Sequence, residues 1–361
     1  LRQRLAERNL DTAWIIQPEN RRYLSGFRAE DSQFTESSGS LLINQSRCAL
    51  LTDSRYTLEA EKESVGFEIR TLKKGLVENL PELVKEMKAR KLGFEEDYLT
   101  FGLYQKLTEA FRRLSPPVAL EPLNGLVEQM RETKDRDEIT SIEASADLMS
   151  EILDTVIAGL KPGLTENEVA WRIEALAREA GAESLAFPSI VASGPNGAVP
   201  HAVPTNRKLR MREPIILDVG VRLDTYRSDM TRTVFLGDPT SEFKRIYRIV
   251  REAQLAALKA IHPGVESNHP DEIARQIIRD AGYGEYFGHG LGHGVGLATH
   301  EPPRLAPRKP VKLRKRMVVT VEPGIYMPKK GGVRLEEMVV IESDGPRVLT
   351  KNNHFYDFMP E

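Results

Sequence analysis

At 361 residues the chain suits two domains, and a content of 40% hydrophobic and 29% charged residues excludes a disordered chain. Lysine and arginine (51) nearly cancel aspartate and glutamate (53), so the formal charge of −2 offers no global attraction for nucleic acid or an anionic membrane. The single cysteine, Cys48, excludes an internal disulfide framework and any multi-cysteine metal site, and no apolar run approaches the 18 or so residues of a spanning helix. The first residues, LRQRLAERNL, alternate charge with leucine and lack the apolar core of a signal peptide, so a cytoplasmic protein is expected. AWII (Ala13 to Ile16), GSLLI (Gly39 to Ile43), CALLT (Cys48 to Thr52) and KLGF (Lys91 to Phe94) read as buried strands. Arg55 to Glu63, Leu76 to Arg90 and Leu103 to Leu114 read as helices between them. DSRY (Asp53 to Tyr56) reads as a helix N-cap followed by a solvated arginine. This alternation describes an α/β domain over residues 1–122, closed by the proline-rich SPPVALEPLNG (Ser115 to Gly125).

A second domain is expected over residues 123–361. RETKDRDEITSIEASADLMSEILDTVIAGLKPG reads as one long helix, with Ile139, Ile142, Ala146, Met149, Leu153, Val156 and Leu160 on one side at steps of three and four. Gly159 and Pro162–Gly163 stop it. A second helix starts at Thr165, where TENE supplies a capping box, and ends near Gly181. Beyond about residue 185 the chain turns β-rich, and all seven of its histidines lie there.

In PIILDVGVRLDTYRSDMTRTV, Asp218 ends an apolar strand, and Asp229 lies eleven residues later on the return strand of a hairpin. A buried, unpaired carboxylate is costly. Either both aspartates serve one site, or one occupies a turn while the other pairs with Arg232. In FGHGLGHGVGLATHEPPR, His289, His293 and His300 stand among alternating glycines, which suit close backbone packing or positive φ. No dinucleotide fingerprint fits, and two prolines forbid the helix of an H-E-x-x-H site. In MVVTVEPGIY and GVRLEEMVVI, Glu322 and Glu336 interrupt β-branched runs fourteen residues apart. Arg334 could simply neutralise such a glutamate.

Together Asp218, Asp229, His293, Glu322 and Glu336 supply four carboxylates and one imidazole. If they converge, two divalent ions cancel their charge, and an oxygen-rich set with one nitrogen suits Mn²⁺ or Co²⁺, with Zn²⁺ also possible. Two close metals can activate a water and polarise a carbonyl, the parts of a hydrolase.

These motifs, in order and spacing, resemble the Xaa-Pro aminopeptidase and prolidase family of dinuclear metallopeptidases over nearly the whole chain. NRRYLSGF and LLTDSRYTLEAE resemble its creatinase-type N-terminal domain. The resemblance implies an α/β N-terminal domain followed by an α+β pita-bread catalytic domain. It implies that Asp218, Asp229, His293, Glu322 and Glu336 hold the metals, with Asp229 and Glu336 bridging. It further implies that His201 orients the substrate, that His289 lines the proline pocket, and that His300 donates to the oxyanion or scissile amide. Glu322 would also act as general base, while Tyr326 and Arg334 would steady the metal carboxylates. His262, His269 and His354 match no position of the family. Thr225 stands before Tyr226 where the family usually has glycine, and Glu337 stands where it usually has aspartate.

Arg304, four residues past His300, resembles an arginine that some prolidases use to hold the substrate's C-terminal carboxylate; otherwise it is a solvated arginine beside two prolines. The expected activity is an exopeptidase cutting before a second-position proline, leaning to the dipeptidase over an aminopeptidase acting on longer peptides. A metal-free creatinase-like amidinohydrolase and a non-catalytic binding module are the readings from other classes. The family also implies a homodimer, while the charge balance leads to the expectation of no nucleic-acid or membrane partner.

Overall fold

In the computed structural model, which describes residues 1–30 and 37–358, the apolar runs of the first third become strands of one sheet. Helices α1 (Arg2–Glu7) and α2 (Pro18–Ser25) flank β1 (Thr12–Ile15). The hairpin β2 (Ser40–Asn44) and β3 (Cys48–Thr52) follows, then α3 (Thr57–Glu63), β4 (Glu68–Thr71), α4 (Leu76–Glu86), β5 (Lys91–Phe94), α5 (Phe101–Arg112) and β6 (Ala119–Pro122). The strand order is β4-β3-β2-β1-β5-β6, antiparallel from β1 to β3 and parallel elsewhere. Central strands read as unbroken apolar runs because both faces are covered. Trp14 and Leu42 belong to one core and Ala13, Ile15, Leu41 and Ile43 to another. The edge strands β4 and β6 are largely solvated, so they carry no apolar run by which to find them.

Asp53 does not cap α3. Its carboxylate accepts from the Arg55 backbone N–H at 2.8 Å and pairs with the Arg55 guanidinium, closing a local turn, and Tyr56 takes the cap position. Leu123, Leu126 and Val127 bury themselves in the first unit, which runs through α6 (Glu128–Arg131) and ends at Arg131.

The second unit begins at Glu132. Its helix α7 (Arg136–Ala158) starts at Arg136 rather than at Arg131, where the segment read as helix begins, because Asp135 and Glu138 form a capping box there. Ile142, Ala146, Met149, Leu153 and Val156 are buried along it, as the spacing predicts. Helix α8 (Glu166–Glu179) carries the expected capping box of Thr165 and Glu168. Six strands follow: β7 (Ser184–Leu185), β8 (Ile190–Ser193), β9 (Pro214–Val219), β10 (Val221–Leu223), β11 (Tyr226–Arg227) and β12 (Met230–Phe235). They form the sheets β12-β9-β8 and β11-β10-β7. Asp224 and Thr225, both at positive φ (45° and 70°), make the β10–β11 turn. A β-branched residue is strained there, which explains the usual glycine.

Helices α9 (Ser241–Lys259) and α10 (His269–Asp280) open the second half. The strands β13 (Gly292–Gly294), β14 (Glu301–Leu305), β15 (Val318–Val321), β16 (Gly324–Met327), β17 (Gly331–Arg334), β18 (Glu337–Glu342) and β19 (Gly345–Val348) complete it. A five-stranded antiparallel sheet, β14-β13-β15-β18-β19, stands beside the hairpin β16–β17. Each helix pair backs its own strands. Leu153, Val156, Val169 and Ile173 pack on Leu217, Val219 and Val234, while Ile246, Val250 and Ile278 share a core with Val319, Val321 and Val339. Among the described residues, no helix is long and apolar enough to cross a membrane.

Candidate metal centre

The five candidate ligands come from the ends or centres of short strands. Asp218 lies in β9, Asp229 immediately precedes β12, and these strands pair antiparallel with Thr231 opposite Asp218. His293 is the middle residue of β13, Glu322 follows β15, and Glu336 separates β17 from β18. All five line one cavity of about 580 Å³. Ligand atoms of Asp229, His293 and Glu336 lie within 4.8 Å of one another. His293 Nε2 stands 3.3 Å from Glu322 Oε1 and 3.6 Å from Asp229 Oδ2.

The glycines around His293 serve close approach. A Cβ on Gly292 would meet the Thr320 carbonyl, and one on Gly294 the carbonyls of Glu301 and Pro302. Positive φ is not their purpose, since none between Gly288 and Gly296 adopts it.

Electrostatics shows a site built for more positive charge than the chain supplies. Burial, then the neighbouring carboxylates, raise Asp229 and Glu336 well above the usual carboxylate range, and burial raises Asp218 despite Arg334. Burial also works against ionised Glu322, but His293, His289 and Arg334 outweigh it and hold Glu322 low. Arg334 cannot neutralise four carboxylates. Its guanidinium is already engaged by Asp218 Oδ2 (2.6 Å), the Tyr326 hydroxyl (2.8 Å), Thr231 Oγ1 (3.1 Å) and the Pro200 carbonyl (3.1 Å).

Two further observations fit a metal. Asp218 Oδ1 is buried and finds no hydrogen-bond partner among the described residues. His293 Nδ1 lies 3.1 Å from the Gly294 carbonyl, to which it donates, so in the neutral ring the Nε2 lone pair faces two carboxylate oxygens. A cation held between that lone pair and the carboxylate oxygens would satisfy all three groups at once.

The remaining candidates surround this cluster. His289 Nδ1 donates to the Gly290 carbonyl (2.8 Å), leaving Nε2 to accept from the Tyr326 hydroxyl (2.9 Å), which itself accepts from Arg334. Burial raises the Tyr326 phenol to about 12, keeping it a donor. Burial, reinforced by His293, Arg304 and His201 against the opposing Glu322, lowers His300 to about 4. His300 is therefore a neutral imidazole at pH 7, its ring centroid 4.2 Å from that of His293. His201, His289, His300, Arg304 and Arg334 line the cavity, while Tyr326 stands behind Arg334. Arg304 lies directly opposite His293 in the β13–β14 register. His262 is held against the Lys259 carbonyl, His354 faces Asp154 at 3.0 Å, and His269 begins α10; none lines the cavity.

Sequence reasoning does not single out the groups that orient these residues. Thr231 donates to Glu336 Oε2 (2.7 Å), and Thr320 Oγ1 reaches both the His293 N–H (3.1 Å) and Glu322 Oε1 (3.2 Å). Arg232 does not pair with Asp229. Wholly buried, it donates to the carbonyls of Thr231, Glu336 and Asn352 and pairs with Glu337 Oε1 at 3.2 Å, its guanidinium 4.3 Å from the Phe355 ring centre. Glu337 accordingly turns away from the cluster while Glu336 enters it. The signal was present as three consecutive polar residues, Thr231 to Thr233, in a fully buried strand. Arg232→Met is expected to destabilise the protein by about 3–5 kcal/mol, because it strands the Glu337 carboxylate. The double variant Arg232→Met/Glu337→Met should recover part of that loss in denaturant titrations; no recovery would show that the pair is not the source.

Residues 140–343 match the family described as metallopeptidase family M24, and residues 1–133 match the creatinase/prolidase N-terminal domain. The chain is 34% identical over 345 residues to the Xaa-Pro dipeptidase of Pyrococcus furiosus, covering 96% of this chain and 94% of that one. It superposes on a solved Xaa-Pro dipeptidase from Bacillus anthracis with a TM-score of 0.90 at 37% identity, over 97% of this chain and 95% of the other. A solved X-Pro aminopeptidase from Thermotoga maritima superposes with a TM-score of 0.87 at 36% identity, over 97% and 96%.

Proposed function

The chain belongs to metallopeptidase family M24, and on that premise we propose that it is an Xaa-Pro dipeptidase, using two divalent ions to cut between an N-terminal residue and a C-terminal proline. It is a metal-dependent peptidase, built from a creatinase-type N-terminal domain and a pita-bread catalytic domain. Asp218, Asp229, His293, Glu322 and Glu336 would hold the ions, with Asp229 and Glu336 shared between them. The oxygen-rich set with one imidazole favours Mn²⁺. When bound, the ions supply Lewis acidity to the scissile carbonyl and acidify the attacking water.

The chain's own groups supply the rest. Glu322, held ionised, takes the proton from the attacking water and delivers it to the proline nitrogen, which otherwise leaves as a strongly basic amide anion. Neutral His300 donates a hydrogen bond to the oxygen that gains charge as the carbonyl is attacked. His289 offers no free ring nitrogen, so it serves as a wall for the proline ring rather than a proton carrier. His201, at the exposed rim, orients the substrate.

The observation that carries the dipeptide reading is Arg304. Its backbone stands directly opposite His293 across the β13–β14 ladder, and its side chain is exposed. It has no ion-pair or hydrogen-bond partner among the described residues, and it lines the cavity. A proline carboxylate following the scissile amide would meet it there.

The test uses metal-stripped protein reloaded with Mn²⁺, given Ala-Pro, Ala-Pro-Ala and, as a control, Met-Ala-Ser. Ala-Pro should be cut much faster than the tripeptide. Arg304→Ala should raise KM for Ala-Pro by roughly 30-fold, the equivalent of about 2 kcal/mol for an unpaired carboxylate. Equal or faster tripeptide cleavage would instead make it an aminopeptidase for longer peptides and leave Arg304 a surface residue. No cleavage with any divalent ion defeats the Xaa-Pro reading.

A further inference from the structure

The motif TENE holds two glutamates, and capping uses only one of them. Glu168 completes the box with Thr165, while Glu166, the first residue of α8, sends its side chain elsewhere. It is wholly buried, at 0% exposure. Its carboxylate accepts five hydrogen bonds. Oε1 takes the backbone N–H and the hydroxyl of Ser193, both at 2.7 Å. Oε2 takes the Asn196 amide (2.8 Å), the Thr205 N–H (3.0 Å) and the Thr205 hydroxyl (2.7 Å).

Every donor belongs to the first residues or the end of one segment, Ser193 to Thr205. That segment carries Pro200, His201, Ala202, Val203 and Pro204 to the cavity wall. The backbone amides of Glu166 and Asn167 add bonds to the carbonyls of Arg207 and Thr205, and Arg207 donates to the Ser193 hydroxyl at 2.6 Å. At the far side, Arg334 donates to the Pro200 carbonyl while holding Asp218. The loop is thus pinned at its base by Glu166 and at its tip by the residue that steadies the metal cluster.

We propose that Glu166 is a positioning residue for the reaction: it clamps the base of the 193–205 loop so that His201 and the apolar wall beside it stand against the metal centre. The consequence for substrate rests on the peptidase reading above; the clamp itself does not. The chemistry requires a carboxylate. Five donors converge on two oxygens, and glutamine would turn an NH₂ toward N–H groups that need an acceptor. A free loop of this length samples many conformations, and joining its ends removes most of them before substrate arrives. His201 is itself exposed and takes its position from the loop.

The test compares wild type with Glu166→Gln, Glu166→Ala and the milder Thr205→Val in the full Mn²⁺-loaded chain. Amide hydrogen exchange across 194–204 and steady-state kinetics on Ala-Pro are followed together. Glu166→Gln should speed exchange in the loop while the β9–β12 amides stay protected, and lower kcat/KM by about a hundredfold, the upper range for an outer partner of a catalytic group. Thr205→Val should show the same pattern at about a tenth of that effect, which keeps the clamp testable if Glu166→Ala does not fold. In a His201→Ala background, Glu166→Gln should cost less than about threefold more, since both act through one loop. Full multiplication of the two effects, or unchanged loop exchange, would overturn the proposal. If the wild-type protein cuts no Xaa-Pro peptide, the peptidase reading falls, and hydrogen exchange alone decides the clamp.

Discussion

Glu336→Ala is expected to lower kcat/KM on Ala-Pro by at least about 10³-fold, and calorimetric titration with Mn²⁺ should show weakened or missing binding at one of two sites. Outer partners of a metal site typically cost 10–100-fold when removed, and Glu336 is placed further in than any of these. It is 1% exposed, with one carboxylate oxygen held by Thr231 and its backbone carbonyl held by Arg232. Both handles fix its second oxygen toward the cluster it shares with Asp229 and His293. The same substitution should leave the metal-free protein as stable as wild type, or more so, because it removes one of four mutually repelling carboxylates. That opposite sign separates lost ligation from damaged folding. Retention of a tenth or more of wild-type activity would take Glu336 out of the ligand set.

Metal removal should destabilise the protein, and by more at higher pH. Each site held at a thousandfold its Kd contributes about 4 kcal/mol, which is lost in chelator. The pH dependence follows from the carboxylates. Asp218, Asp229 and Glu336 are raised in the folded chain, chiefly by burial, so at pH values where the unfolded chain has lost their protons the folded chain still holds them. Stability of the metal-free form therefore falls as pH rises from about 4 through the folded-state values of these groups. Glu322 is lowered, so its contribution is complete above the ordinary glutamate range and constant from pH 5 upward. His289 and His300 are lowered, mainly by burial, and add stability as pH rises towards 6.5, but they do so with or without metal. The difference in Tm between loaded and chelator-treated protein cancels them. Measured by scanning calorimetry, that gap should widen from pH 5.5 to 8, since metal also competes better as protons leave. A constant or narrowing gap would mean that the cluster does not carry its charge to the ion.

Much of the fold was legible because burial leaves a periodic record. The runs at Ala13 to Ile16, Gly39 to Ile43 and Cys48 to Thr52 fall on the strands Thr12–Ile15, Ser40–Asn44 and Cys48–Thr52, which are covered on both faces, and their apolarity announces it. The α7 stripe from Ile142 to Val156 records a single covered side. Where the record stops, so does the reading. Edge strands β4 and β6 meet solvent and look like loops, and Asp53 resembles a cap although its own turn claims its carboxylate.

The candidate site divides in the same way. Four acidic residues and His293, each set in an apolar or glycine-rich strand, advertised their chemistry, because a buried charge needs a partner that the local sequence does not supply. Which arginine meets which carboxylate was beyond it. Side chains alternate along β12, so Asp229, Thr231 and Thr233 share one face and Arg232 takes the other, against Asn352 and Phe355 more than a hundred positions away. Arg334 pairs with Asp218 of β9, not with either neighbouring glutamate. Likewise TENE showed a helix start, while the five donors gathered by Glu166 come from Ser193, Asn196 and Thr205. Sequence alone thus carried the fold class, a metal-dependent peptidase and a candidate set of donors. The partners of Asp218, Arg232 and Arg334 were decided only by the tertiary structure, because strand register and sheet neighbours, not spacing along the chain, set which of these opposite charges can touch.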